Sequence, residues 1–333
     1  MKKNYQTFIG IDVSKSKLDY CIIDNLGKLQ FGIIANTAKD IGKFIRAIKK
    51  KYGNEQVLFC LENTGVYSMP LCYWLQNNGM DYWVVAALEI KRSKGITRGK
   101  NDKADAKDIA NYAITHLHQL KLSQIPEDDF IELRLLLAER EKIVKTIAVF
   151  STTMENKKFL SKEVLKATLK HNAGTITFLK KQLQAIDQLI DDVVQRNEIF
   201  RQQNDLLQSI PGIGNQTAVI LIAYTQAFTL FNNHRQFACY AGVAPFAYSS
   251  GSSVRGRTKV SHLANKKLKT TLNMAALTAK KFDPQLKLYF DKKVAEGKNK
   301  MLVMNAIRCK LISRAFAVIN RNSKFVNTFK AVA

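Results

Sequence analysis

The sequence predicts an α/β domain joined to an α region: an N-terminal mixed sheet with packed helices, a central coiled-coil hairpin, and a mainly helical C-terminal domain. Three observations point there. Up to about residue 125, short apolar runs with strand chemistry alternate with amphipathic helical stretches, the pattern of a sheet covered by helices. Apolar residues then recur at spacings of three and four over two long stretches, as along the seam of paired helices. Beyond about residue 205 the chain is basic and again reads as helices, interrupted by one stretch crowded with Ser, Gly and Arg. We divide it accordingly at 1–125, 126–204 and 205–333.

Residues 7–13 (Thr-Phe-Ile-Gly-Ile-Asp-Val) are apolar and β-branched and read as a buried strand. Residues 17–24 and 28–34 continue as strands, with Asp24-Asn25-Leu26-Gly27 turning the chain between them. A basic amphipathic helix is predicted over 40–51, then an apolar strand over 56–61 that ends on Glu62. A helix around 68–77 and a strand over 82–86 follow. The last element of this part is a helix from Asn101 to about His118. At about 100° per residue, Asp102, Asp105, Ala106, Ile109, Ala113 and Leu117 share one of its faces. Two carboxylates thus head an apolar stripe, whereas most helices turn their acids to solvent.

Asp12 and Glu62 lie at or just past the apolar core of their strands, where an uncompensated acid costs several kcal/mol to desolvate. Taken singly, each reads as a strand-end acid paired with a lysine, and Asp102 with Asp105 as acids favoured at a helix start. Taken together, they read differently. If the two strands are neighbours and the helix crosses them, four carboxylates converge, and they repel unless a divalent metal holds them. Mg²⁺ is the usual hard, oxygen-seeking choice. Two such ions activate an attacking oxygen and stabilise a leaving one in phosphoryl transfer, the arrangement of ribonuclease-H-like nucleases. Asp108 lies about 60° further round the helix than Asp105 and is left out. Asp19, in the second strand without an evident partner, is left out too.

Composition sets the partner class. The 333 residues include 52 Lys and Arg against 27 Asp and Glu, a formal charge of +25. That excess points to a polyanion, nucleic acid first and acidic membrane second. With 46% hydrophobic residues the chain can bury real cores, and its length favours two domains. No apolar run reaches the length of a membrane span, and Met1-Lys2-Lys3-Asn4-Tyr5 runs into a strand rather than a leader, so we expect a cytoplasmic protein. The five cysteines (Cys21, Cys60, Cys72, Cys239, Cys309) are scattered and read as reduced core residues.

The first seam comprises Leu133, Leu136, Arg140, Ile143, Ile147, Phe150 and Met154. After a polar break, Ile176, Leu179, Leu183, Ile186, Ile190, Val193, Asn197 and Phe200 form the second. An antiparallel hairpin is the simplest arrangement, serving as a spacer or as a dimerisation arm. Ser209-Ile210-Pro211-Gly212-Ile213-Gly214 then leads into an apolar helix over 216–224. Gly212 and Gly214 free backbone N–H groups at a helix start, as in a helix-hairpin-helix that holds a phosphate, or they mark an ordinary turn. After a helix over 232–240 comes the run from Ala244 to Lys259, read as one loop. It is either a flexible basic loop on phosphates or the carrier of a nucleophilic serine. Helices over 263–281, 284–294 and 301–320 complete the chain, with Lys266 and Lys267 among the bases expected to meet phosphate.

The motifs are recognisable in combination. Gly10-Ile11-Asp12-Val13-Ser14-Lys15, Glu62-Asn63-Thr64-Gly65 and Asn101-Asp102-Lys103-Ala104-Asp105-Ala106 resemble the acidic domain of the insertion sequence 110 family of transposases, which is ribonuclease-H-like (RuvC-like). Ile210–Gly214, the run from Phe237 to Pro245, Ser249-Ser250-Gly251 and Arg255-Gly256-Arg257 resemble that family's second domain. The resemblance spans nearly the whole chain in the right order. It implies a DNA recombinase guided by a structured bridge RNA that pairs with double-stranded donor and target DNA. It further implies that Asp12, Glu62, Asp102 and Asp105 are metal ligands and that Ser250, with Ser249 the neighbouring candidate, forms a phosphoserine link to DNA. Strand exchange would then pass through a Holliday junction. Arg255, Arg257 and Lys259 would contact nucleic acid, and a homo-oligomer (dimer or tetramer) would join the acidic and serine domains across protomers. Two other readings compete. A junction-resolvase-like nuclease would use only the acids and water, leaving the serine stretch without a role. An inert RNA- or DNA-binding protein would leave the acids uncompensated.

Overall fold

The computed structural model describes residues 3–93, 101–152, 159–250, 254–260 and 264–327. The chain forms two compact units, Met1–Ile125 and Pro126–Ala333.

In the first unit the order is β1 (Thr7–Val13), β2 (Lys17–Ile23), β3 (Leu29–Ala35), α1 (Ala38–Tyr52), β4 (Val57–Glu62), α2 (Met69–Asn77), β5 (Asp81–Val85), α3 (Ala87–Ser93) and α4 (Asp102–Thr115). The five strands lie in the order β3-β2-β1-β4-β5. β2 is antiparallel to β1 and β3, whereas β4 runs parallel to β1 and β5. Side chains alternate across a sheet, so each central strand serves two cores. Ile9, Ile11, Phe59 and Leu61 face α1 and α2, packing on Ile41, Ile45, Leu71 and Leu75. The other parity faces α4: Leu58 and Cys60 meet Ile109 and Ala113, while Cys21 and Ile23 meet Ala106 and Ala110. Gly10 lies at the closest approach, where a Cβ would come 2.2 Å from the Ala106 carbonyl oxygen. Asp12, Asp19 and Glu62 share the parity of Gly10, Cys21 and Cys60, and so belong to the α4 face.

Local chemistry explains the helix starts. Thr37 caps α1 by accepting from Asp40 N, and Lys49, Lys50 and Lys51 close its last turn. Asn101 caps α4 by accepting from Lys103 N, with Asp102 and Asp105 in the first turn. The cap reading of these two acids therefore holds as far as it goes. Two details differ from expectation. A short helix, α3, follows β5 where none was predicted, and α4 ends at Thr115, so Leu117 falls in a separate 3₁₀ turn.

The second unit opens with two long helices, α5 (Asp128–Thr152) and α6 (Lys162–Arg196), then α7 (Glu198–Gln208), α8 (Asn215–Thr225), α9 (His234–Tyr240), β6 (Pro245–Ser250), β7 (Val254–Val260), α10 (Lys266–Phe282), α11 (Pro284–Ala295) and α12 (Lys300–Arg321). Arg196 reaches back to Asp129 and Glu132, while Arg140 pairs with Asp187 at 2.6 Å. The start of α5 thus lies beside the end of α6, and the helices run antiparallel. The start of α5 and the end of α6 are buried in one core with α7, α8, α10 and α12, at Leu133, Leu137, Ile190 and Val193. Further out, Ile143, Ile147, Phe150, Ile176, Leu179 and Leu183 are half-buried, and Met154 lies outside the described residues.

The seam spacing predicts a second helix running through Asn197 and Phe200, yet the helix stops at Arg196. Asn197 instead caps α7, accepting from Phe200 N at 3.1 Å while its amide donates to Asp129. Serine and glycine content predicts a loop over 244–259, but the stretch forms an antiparallel hairpin with Ser250 opposite Val254 and a register shift between Phe246 and Tyr248. The strand formers Phe246, Tyr248, Val254, Thr258 and Val260 outweigh the serine and glycine content. Among the described residues no helix is long and apolar enough to cross a membrane. All five cysteines are free thiols.

Candidate metal and nucleic-acid site

The acidic site is assembled by strand register and one helix crossing. β1 and β4 pair in parallel as far as Ile11 and Leu61, which brings the next residues, Asp12 and Glu62, to the same end of the sheet. Because α4 lies against β1 at Gly10, its first turn comes over that end. One ligand atom from each of Asp12, Asp102 and Asp105 then lies within 4.8 Å of the others, all three side chains half-buried. Among the described residues this is the one cluster of three or more His, Cys, Asp or Glu groups that close. Glu62 stands outside that trio but near enough for its charge to act on Asp12. Asp108 is not part of it.

Burial, followed by the charges of Asp105, Asp102, Glu62 and Asp19, raises the Asp12 carboxyl above the ordinary 3.8. Hard oxygen donors this close, with one of them resisting ionisation, fit a divalent cation of the Mg²⁺ or Ca²⁺ type. Two further residues belong to the site. Asp19 is buried and directly opposite Asp12 in the β1–β2 pair. Lys17 Nζ donates to Asp102 Oδ2 at 2.8 Å and lies 3.0 Å from Asp19 Oδ2. Those contacts, first to Asp102 and then to Asp19, push the Lys17 ammonium up to about 12. The sequence signal for both residues is the turn over 14–17: a hairpin folded there sets Asp19 against Asp12.

The remaining candidates lie in the second unit. Ser250 ends β6, and Ser249 is the backbone partner of Arg255. Arg255, Arg257 and Lys259 take alternate positions of β7, while Gly251 lies outside the described residues. Gly212 has φ +98, and a Cβ there would come 2.5 Å from Ala279 Cβ and 2.7 Å from the Ala275 carbonyl, so this glycine lets the turn lie on α10. Gly214 has open space around it and caps α8. Lys267 is largely engaged within the unit, pairing with Glu141 at 3.1 Å and donating to the Leu137 carbonyl. Its neighbour Lys266 lines a cavity of about 580 Å³ with Leu137, Val144, Ile220 and Met274.

Comparison with known proteins gives the family. Residues 9–162 match a transposase family model, the DEDD transposase of IS110 type, and residues 204–291 match one described as "Transposase IS116/IS110/IS902 family". The class is therefore that of transposases, enzymes that act on DNA. The chain belongs to the IS110 family of transposases. It is 29% identical over 326 residues to the pilin gene-inverting proteins of Moraxella bovis and Moraxella lacunata, covering 96% of this chain and 98% of theirs. A 43.6 kDa protein of insertion element IS110 from Streptomyces coelicolor is 28% identical over 147 residues, 44% of this chain and 35% of that one.

Proposed function

We propose that this chain is a site-specific transposase and recombinase that cuts and rejoins double-stranded donor and target DNA under the direction of a structured guide (bridge) RNA. The observation that carries the chemistry is the convergence of Asp12, Asp102 and Asp105 to within 4.8 Å. In this reading those three, with Glu62, hold Mg²⁺. Bound there, the metal supplies Lewis-acid stabilisation of phosphate charge. Ser250 in β6 is the nucleophile. Its Oγ attacks the scissile phosphorus, the P–O bond to one deoxyribose breaks, and the leaving oxygen takes up a proton. The protein is left joined to the strand as a phosphoserine ester. Attack by a hydroxyl of the other duplex releases the serine and joins the strands without net hydrolysis, and a Holliday junction forms between the two exchanges. Arg255, Arg257 and Lys259 offset phosphate charge beside the serine. Lys266 and the turn at Gly212 and Gly214 hold flanking backbone, with Lys267 contributing charge from its pairing with Glu141. We assign the helices α5 and α6 a coiled-coil role in assembling a homo-oligomer.

One experiment tests the chemistry. Incubated with DNA, guide RNA and Mg²⁺, the wild-type chain forms a covalent adduct with DNA, which Ser250→Ala loses while still binding RNA. Asp105→Asn stays folded but neither cleaves nor forms the adduct. Survival of the adduct in Ser250→Ala would sink the serine assignment, and full activity in Asp105→Asn would reduce that acid to a helix cap. RNA guidance is tested separately. Affinity for the element's own RNA should far exceed that for random RNA of equal length at high salt, where the generic ionic contribution is screened. Equal affinities would favour a protein without a guide.

A further inference from the structure

Lys17 stands among the acids that the metal reading requires. It is the first residue of β2, and its Nζ donates to Asp102 Oδ2 at 2.8 Å while lying 3.0 Å from Asp19 Oδ2. The two acids differ in kind. Asp102 belongs to the trio that closes to 4.8 Å, whereas Asp19 is 4% exposed and directly opposite Asp12. Like charges directly opposite on adjacent strands destabilise a sheet, and a buried carboxylate needs a counter-ion. Lys17 provides one for Asp19 and at the same time reaches Asp102. Its side chain is 39% exposed, so solvent reaches it in that position.

We propose that Lys17 is a resident counter-ion: its ammonium takes an oxygen of Asp102 in the metal-free protein, and a divalent ion must displace it to bind. This rests on reading Asp12, Asp102 and Asp105 as metal ligands. Asp19 is the anchor that retains Lys17 after Asp102 is given up, which makes the exchange local and reversible. The arrangement has two opposing effects. It relieves repulsion among the acids while metal is absent, and it weakens metal binding by the fraction of time that Asp102 is engaged. If Lys17 holds Asp102 for about nine-tenths of that time, apparent affinity for Mg²⁺ is about tenfold lower than that of the same site with Asp102 released from Lys17. Metal occupancy would then respond to Mg²⁺ concentration over a higher range than the acids alone would set.

The test is calorimetric titration of Mg²⁺ into the full-length chain, together with melting in the absence and presence of saturating Mg²⁺. Lys17→Gln keeps a neutral donor for both acids, Lys17→Met removes it, and Lys103→Gln is the control for loss of charge alone. Lys103 neighbours Asp102 in sequence, but its ammonium lies over the Phe31 ring at 4.5 Å. Both Lys17 variants should bind Mg²⁺ about tenfold more tightly, and Lys103→Gln should change by about twofold at most. Without metal, both Lys17 variants should melt below wild type, with the gap closing in saturating Mg²⁺. If Lys17→Gln, the milder variant, binds Mg²⁺ no more tightly than wild type, Lys17 is a fixed ion pair and the proposal is overturned. Equal tightening by Lys103→Gln overturns it as well, because general charge then explains the effect. A wild-type chain that binds no Mg²⁺ overturns the metal reading itself, and this proposal with it.

Discussion

A methyl group added at Gly10 would lie 2.2 Å from the Ala106 carbonyl oxygen and 2.3 Å from Ala110 N. Both are backbone atoms, so no side-chain rotation relieves the clash and α4 has to move off β1. Overpacking of this kind costs about 1–3 kcal/mol. Because Asp102 and Asp105 ride on α4 and Asp12 on β1, Gly10→Ala should lower the melting temperature and weaken Mg²⁺ binding together. A variant that loses stability while binding Mg²⁺ as wild type does would show that the acids tolerate displacement of the helix. Single residues also mark how far sequence reasoning reached. Asp12, Glu62, Asp102 and Asp105 were visible because each is an acid on a pattern that is otherwise apolar. Their convergence follows from the sequence only if α4 crosses the sheet there, and that Asp12, Asp102 and Asp105 close with Glu62 just outside depends on the details of that crossing. Asp19 is set aside and Lys17 passed over in the sequence because apolar periodicity reveals which face a residue takes but not its partner across the ladder. A glycine within a strand does signal close approach of another backbone, but the identity of that backbone is tertiary information.

Elements were legible where a period persisted and obscure where local hydrogen bonding interrupted it. The five strands of the first unit were expected to within a residue or two because their apolar runs are short and bounded by turns. The end of α6 was not, because Asn197 fits the seam by spacing while its side chain ends the helix. The same asparagine supports a prediction about α5 and α6. Hydrogen bonds from Asn197, then Arg196, hold the Asp129 carboxyl below the ordinary 3.8. The unfolded chain therefore takes up this proton at higher pH than the folded chain does. The stabilisation is complete above 3.8 and is lost as pH falls through the depressed folded value. Asp129→Asn should accordingly melt lower than wild type at neutral pH, and the difference should shrink in acid below 3.8. A difference constant across that range would assign the effect to packing at the helix ends rather than to charge. The hairpin of β6 and β7 was obscured for another reason. Serine, glycine and arginine dominate its composition, and its strand formers stand out only when every second residue is compared.

Across the whole molecule the charge is unevenly placed. Residues 204–333 hold 20 Lys and Arg against 4 Asp and Glu, while residues 126–203 hold 13 against 12. The long helices α5 and α6 are therefore close to neutral, with Arg196, Arg140 and Lys145 paired to acids of the same region. Lysines there lack the surplus that a polyanion needs, and those after residue 204 have it. Phosphate neutralisation releases counter-ions, so the logarithm of affinity falls linearly with the logarithm of salt concentration, with a slope near −0.9 per phosphate contacted on duplex DNA. The full-length chain should show a steep slope on duplex DNA. Lys266→Gln should make it shallower by about one contact and weaken binding evenly across DNA sequences. Lys180→Gln, an exposed change on α6, should leave the slope where it was. Anisotropy titrations at several salt concentrations measure all three. Equal loss from both variants would mean that the long helices also lie along DNA, and that their near-neutral charge balance is a poor guide to which part of the chain meets the phosphates.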